Sequence, residues 1–156
     1  MTPKKELNVT KRNGRGKESL NIDKIHSMVG FATEGLTGVS ASHVEMNSGL
    51  QFFDGISTND IQQILIKSAN DLISLDNPNY QFVAARLLLF SLRKNLFHRL
   101  WEHPNFIDHI KKLVDSGLYD KGILESYTEA EIDRMGMWVD HERDYNFTYA
   151  GLRQVM

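Results

Sequence analysis

Val9-Thr10-Lys11-Arg12-Asn13-Gly14 and, shortly after it, Glu18-Ser19-Leu20-Asn21-Ile22-Asp23-Lys24-Ile25 decide how this chain is read. Asn13-Gly14 favours positive φ, so residues 7–11 and 17–20 are predicted to pair as a hairpin, with Arg15-Gly16 making the connection longer than two residues. A first helix is then predicted from about Asp23, burying Ile25, Met28, Val29 and Ala32 at helical spacing until Gly35 stops it. Lys11 and Arg12 leave the first strand together, and Lys24 sits in the first helical turn. A helix N-terminus offers free N–H groups and the positive end of its dipole, so three cations around it suit a phosphate-bearing ligand. On charge pattern alone the same side chains also fit a solvated face.

Further along, Ser42 and Glu45 are spaced as a capping box for a second helix from about residue 40, with Met46, Leu50 and Phe53 on one side. Asp54-Gly55 breaks it. Ser57 or Thr58 then caps a third helix whose stripe is Ile61, Ile64, Leu65, Ala69 and Leu72. Ile25 and Ile61 fit a core as well as the wall of a binding slot. A fourth helix is predicted from Asn77-Pro78 to about Trp101, with Val83, Ala84, Leu87, Leu88 and Leu92 making it the most buried. Near its end, Lys94 fits a cation favoured by the helix dipole or a ligand.

His103-Pro104 marks the expected boundary between a first domain, 1–100, and a second, 101–156. The second is also helical: Phe106, Ile107, Ile110, Leu113 and Val114 precede Gly117, and Thr128 and Glu131 form a capping box ahead of Ile132, Met135 and Val139. Another helix begins after Thr148 with no element to close it, so the reading is of an unfinished domain. The run Asp140-His141-Glu142-Arg143-Asp144 reads as a helix end rich in salt links, and histidines 98, 103, 109 and 141 fit no helix-face metal pair, so no metal site is expected.

Composition narrows the function classes. With 156 residues, 41% hydrophobic and 24% charged, the chain is of ordinary globular type. A formal net charge of −2 opposes a protein devoted to binding duplex nucleic acid. It has no cysteine, hence no disulfide, no thiolate zinc site and no thiol nucleophile. The N-terminus lacks the apolar stretch of a signal peptide, and the most apolar run, 83–92, contains Arg86. A cytoplasmic protein with neither membrane nor nucleic-acid partner is expected.

The order of these elements resembles the ATP cone of ribonucleotide reductase, and specifically the N-terminal portion of the class I large subunit. Five blocks carry the resemblance: Val9 to Gly14, Asn21-Ile22-Asp23-Lys24-Ile25-His26, Asp54-Gly55-Ile56-Ser57-Thr58-Asn59-Asp60-Ile61, Tyr80-Gln81-Phe82-Val83-Ala84-Ala85-Arg86-Leu87 and Leu92-Arg93-Lys94. It continues through Phe106-Ile107-Asp108-His109, Gly117-Leu118-Tyr119-Asp120 and Asp140 to Asp144. The resemblance implies a mainly α fold with a small β-sheet, a helical bundle capped by a short β-hairpin or three-stranded sheet. It implies ATP, an activator, or dATP, an inhibitor, as allosteric effector, accompanied by Mg2+.

By the same resemblance, Lys11, Arg12, Lys24, Thr58 and Lys94 hold the phosphates, Glu18 and Asn21 read the adenine edge, and Val9, Leu20, Ile25 and Ile61 wall the base. Such a division suits the ligand, because a triphosphate needs several charge-assisted donors and an adenine a flat apolar slot. Gln62 stands where many relatives have a histidine near the phosphates, which bears on how ATP is told from dATP. The implied partners are the rest of the large subunit, with its catalytic barrel, and a radical-generating small subunit. Reduction in that family uses thiols, so no catalytic residue is expected here and the chain is catalytically incomplete. Two alternatives remain in the sequence: a degenerate cone used only for docking, and a nucleotide-sensing repressor, which the missing cysteines disfavour.

Overall fold

The structure, a computed structural model, describes residues 7–12, 16–49, 51–98 and 102–156. The chain is mainly helical with one small sheet and forms two compact units, 1–92 with 145–156, and 93–144. No helix among the described residues is long and apolar enough to cross a membrane.

In the first unit, strands β1 (Asn8–Thr10) and β2 (Lys17–Ser19) form the hairpin, antiparallel, with Val9 opposite Glu18. Its tip, 13–15, lies outside the described residues. A third strand, β3 (Ile56–Ser57), adds to the other edge of β1 in parallel, giving the order β2-β1-β3. Val9 and the Ile56 beside it are buried, so the inner face of this sheet closes the helical core. The turn feeding β3 is fixed from two sides: Asp54 Oδ1 accepts from the Asn8 backbone N–H at 2.8 Å, and Gly55 N–H donates to Asn8 O at 2.7 Å. Gly55 has φ +85°, a conformation side chains disfavour, which is why a glycine suits this corner.

Helix α1 (Ile22–Thr33) starts one residue earlier than predicted, because Asn21 caps it through the Lys24 N–H. Ile25, Val29 and Ala32 are buried and Met28 half-buried. In α2 (Ala41–Gly49) the prediction fails: Val44 and Ser48 are the buried positions, while Met46 and Phe53 are exposed and Leu50 lies outside the described residues. Ser42 lies inside the helix. The hydroxyl facing the first turn is that of Ser40, which accepts from His43 N–H at 3.4 Å, and Glu45 instead meets His26 Nδ1 of α1 at 2.9 Å. Packed between α1 and α3, so short a helix turns small residues inward, and two apolar side chains are left outside.

Helix α3 (Thr58–Asp71) is capped by Ser57, whose hydroxyl accepts from Asp60 N–H, so Thr58 is the first helical residue instead of the cap. Its inner face is Ile61, Gln62, Leu65, Ile66, Ser68 and Ala69, with Ile64 and Leu72 half-buried. Helix α4 (Tyr80–Phe97) begins after an Asn77–Asn79 turn, two residues past the predicted Pro78 start, and ends before the predicted Trp101, which lies outside the described residues. Val83, Ala84, Leu87, Leu88 and Phe90 are buried. The division between the units falls within this helix, after Leu92.

The second unit packs α5 (Phe106–Asp115), the short α6 (Gly122–Ser126) and α7 (Glu129–Gly136) around Ile107, Ile110 and Ile132. Thr128 and Glu131 make the predicted capping box. Gly136 lies against Phe106, and a Cβ there would fall 2.6 Å from the Phe106 Cβ, so only bare backbone fits. Val139, predicted as part of the stripe, is exposed because α7 ends at Gly136. The 140–144 run enters a 3-10 turn, His141–Asn146, with the salt links expected of it: Arg93 Nη2 lies 2.8 Å and His141 Nδ1 3.6 Å from Asp144 Oδ2. Within the first unit, α8 (Tyr149–Val155) is capped by Thr148 and buries Leu152.

Candidate functional site

Strand order builds the site. Because β1 and β3 run the same way with Thr10 beside Ser57, the ends of both strands lie together, about 4.8 Å apart as neighbouring strands are. One chain leaves as Lys11-Arg12 and the other enters α3 at Thr58. The backbone carrying these two cations therefore leaves the sheet beside the strand that enters a 14-residue helix, whose N-terminal dipole end favours an anion. Thr10 Oγ1 donates to Gly55 O at 3.1 Å and pins the strand end in that position.

Lys24 approaches from the first turn of α1. Glu18, in the middle of β2, draws it toward Lys11: Lys11 Nζ is 3.3 Å from Glu18 Oε2 and Lys24 Nζ 4.0 Å from Glu18 Oε1. A sheet places Glu18 opposite Val9, and Lys11 is two residues from Val9 on the same face, so this diagonal pairing follows from register. Val9, Glu18, Lys11 and Lys24 thus meet at the sheet. Asn21 adjoins them, its Oδ1 accepting from Lys24 N–H at 3.0 Å, which leaves its Nδ2 as the group able to donate outward. Leu20 joins β2 to α1, half-buried, with its N–H donating to Leu7 O at 2.7 Å.

Arg12 is half-buried, and burial holds its pKa below the ordinary arginine value. Ile25 and Ile61 are both buried among the core side chains of α1 and α3. Gln62 is turned inward: it is 5% exposed, and its Nε2 donates to the Leu87 carbonyl of α4 at 2.9 Å. Lys94 stands half-buried in the last turn of α4, on the part of that helix belonging to the second unit. Among the described residues no group of three His, Asp or Glu side chains is placed to hold a metal ion.

Two residues matter here beyond those the sequence singles out as ligands. Asp54 reads from sequence as a helix breaker only, yet its carboxylate also fixes β1 to the turn before β3. Ser57 holds the α3 N-terminus, its hydroxyl both accepting from Asp60 N–H and donating to Asp60 Oδ2 at 2.7 Å. The signal for Ser57 was its spacing to Asp60; for Asp54 there was none, since its partner lies 46 residues away.

A family model of the ATP cone domain matches residues 7–95, from β1 to the last turn of α4. The chain is 49% identical over 149 residues, 96% of its length, to ribonucleoside-diphosphate reductase 1 subunit alpha of Escherichia coli (strain K12), of which it covers 19%. It is 48% identical over 151 residues to ribonucleoside-diphosphate reductase subunit alpha of Haemophilus influenzae, and 40% over 149 residues to that of Enterobacteria phage T4, covering 97% and 96% of this chain and 20% and 19% of those proteins. The chain thus spans about a fifth of the length of the curated relatives it matches. Matched over more than half its residues by that model, and carrying its cations where the small sheet meets two helix starts, the chain belongs to the ATP cone domain family.

Proposed function

We propose that the 7–95 region binds ATP or dATP as the allosteric effector of a ribonucleoside-diphosphate reductase, in the part of the large subunit that regulates deoxyribonucleotide synthesis. The observation carrying this reading is the convergence of Lys11 and Lys24 on one point beside Val9, with the α3 N-terminus at the end of the same strand. Lys11, Arg12, Lys24 and the first turn of α3 at Thr58 take the phosphates. Val9, Leu20, Ile25 and Ile61 flank the base, and Glu18 and Asn21 read its edge. Mg2+ would accompany the nucleotide, neutralising part of its phosphate charge.

These 156 residues contain no cysteine, so the thiol chemistry of reduction belongs to other polypeptide: the remaining large subunit, working with a radical-generating small subunit in the cytoplasm. Regulation requires that the nucleotide bind two arrangements of the cone unequally. Isothermal titration of ATP and dATP into the chain tests the reading, and no heat of binding for either overturns it. Lys24→Ala is expected to weaken ATP about tenfold, the equivalent of ~1.4 kcal/mol and in the range of one charge-assisted hydrogen bond. Unchanged affinity would remove Lys24 from the site.

A further inference from the structure

Strand β1 is held at its start by a carboxylate that stands well away from its end. Asp54 Oδ1 accepts from the Asn8 backbone N–H at 2.8 Å and from Asn8 Nδ2 at 3.3 Å, and the next residue, Gly55, donates its N–H to Asn8 O at 2.7 Å. Lys11 follows three residues after Asn8, roughly 10 Å along an extended chain. Asp54 therefore grips one end of the strand, while the other end delivers the backbone of Lys11 and Arg12 beside the strand that enters α3.

The seam needs such a grip because it is short. β1 and β3 pair through Val9 with Ile56 and Thr10 with Ser57 alone. Burial of Val9 forbids a slip by one residue, which would turn Asn8 or Thr10 into the core. Burial does not forbid a slip by two, because Leu7 is apolar and shares the face of Val9. Such a slip carries Lys11 and Arg12 about 7 Å along the seam, away from Thr58. The bonds between Asn8 and the 54–55 turn form in one register only, so they select it.

We infer that Asp54 is a positioning residue of the effector site: its carboxylate fixes the β1–β3 register, and so the place of Lys11 and Arg12, without touching the ligand. The inference rests on the nucleotide reading above and adds a residue which that reading leaves out. The expected effect of removing Asp54 is opposite in sign to plain electrostatics. A negative charge near an anion site opposes binding, so its loss would help, though weakly at a distance beyond the Debye length of physiological salt. Loss of the grip instead lets part of the population take the slipped register, and apparent affinity falls with the competent fraction.

Isothermal titration of ATP at physiological salt into the full chain and two variants tests this, with circular dichroism to show that each is folded. Asp54→Ala is expected to bind ATP about tenfold more weakly, the loss that follows when about a tenth of the molecules keep the competent register. Asp54→Asn keeps an Oδ1 acceptor for both N–H groups of Asn8 and is expected to bind as tightly as the parent, or slightly more tightly. In a parent that binds ATP, undiminished affinity in Asp54→Ala overturns the inference and leaves the nucleotide reading standing. An Asp54→Asn variant as weak as Asp54→Ala also overturns it, since the acceptor would then not be what matters. A parent that binds no ATP overturns both. If Asp54→Ala fails to fold, Asp54→Glu, its carboxylate displaced by one methylene, takes its place with the same expected loss, and parent-like affinity there overturns the inference.

Discussion

His103 lies flat on His141, their ring centres 3.4 Å apart and the planes 2° from parallel, in the neighbourhood of the Arg93–Asp144 ion pair. Two imidazoles this close cannot both be cationic without repulsion. Burial, and then the charges of Arg93 and His141, hold the His103 pKa below its ordinary 6.5, against a smaller upward pull from Asp144. The unfolded chain therefore takes up the proton first as pH drops. Stability from this contact is complete above about pH 6.5 and is lost as pH falls through the folded-state pKa. The melting temperature of the chain should fall more between pH 7.5 and pH 5 than that of His103→Gln, and identical profiles would deny the stack this role. Gln62 shows the opposite use of burial: a neutral amide, spent on the Leu87 carbonyl, joins α3 to α4 with no charge to titrate. No local pattern announces that bond, since its partner lies 25 residues on in sequence.

A cap acts over three residues and so is written locally; it was read at Ser57 (with Thr58 as the other choice), at Thr128 and after Thr148, missed at Asn21 and Asn105, and misplaced at Ser42. Asn21, Ser57, Asn105, Thr128 and Thr148 each accept from the N–H three residues ahead. The α2 face was not legible. Its apolar residues suggest one stripe, whereas its burial is decided by α1 and α3 on either side, which admit Val44 and Ser48. The parallel β3 was likewise invisible, as a two-residue strand has no period to detect. At α7 the capping box has an acid-dependent consequence: the Thr128 backbone N–H and hydroxyl both donate to Glu131, holding its pKa below the ordinary 4.5. The lowered pKa means the contribution is present above that value and is lost as pH falls through the folded-state pKa. Thr128→Ala removes the cap at a cost of about 1 kcal/mol at neutral pH. Its urea unfolding should also lose stability less steeply between pH 5 and pH 3 than the parent does, and equal slopes would show that the box is not the source.

At the scale of the whole molecule, the family match ends at residue 95, yet 145–156 belongs to the first compact unit. Tyr145 meets Phe90 edge-on at 6.5 Å and lies 5.7 Å under the Arg86 guanidinium, while Leu152 is 4% exposed. Leu152→Ala should therefore destabilise the first unit by about 2–4 kcal/mol, measured by denaturant unfolding. A change below about 0.5 kcal/mol would show that α8 is dispensable to it. Sequence blocks disclosed the family; they did not disclose that Glu18 lies 3.3 Å from Lys11 and 4.0 Å from Lys24, because cross-strand register is a property of the folded sheet.

The parallel seam between β1 and β3 has a kinetic consequence as well. Joining residue 10 to residue 57 closes a long loop of chain, an entropic cost met only once the intervening helices have condensed, so the corner where β1 and β3 end is expected to be among the last parts to assemble. Whatever seats itself there acts as a latch on that closure, slowing the release of both strands together and with it the exposure of the N-terminal third of the chain to proteases.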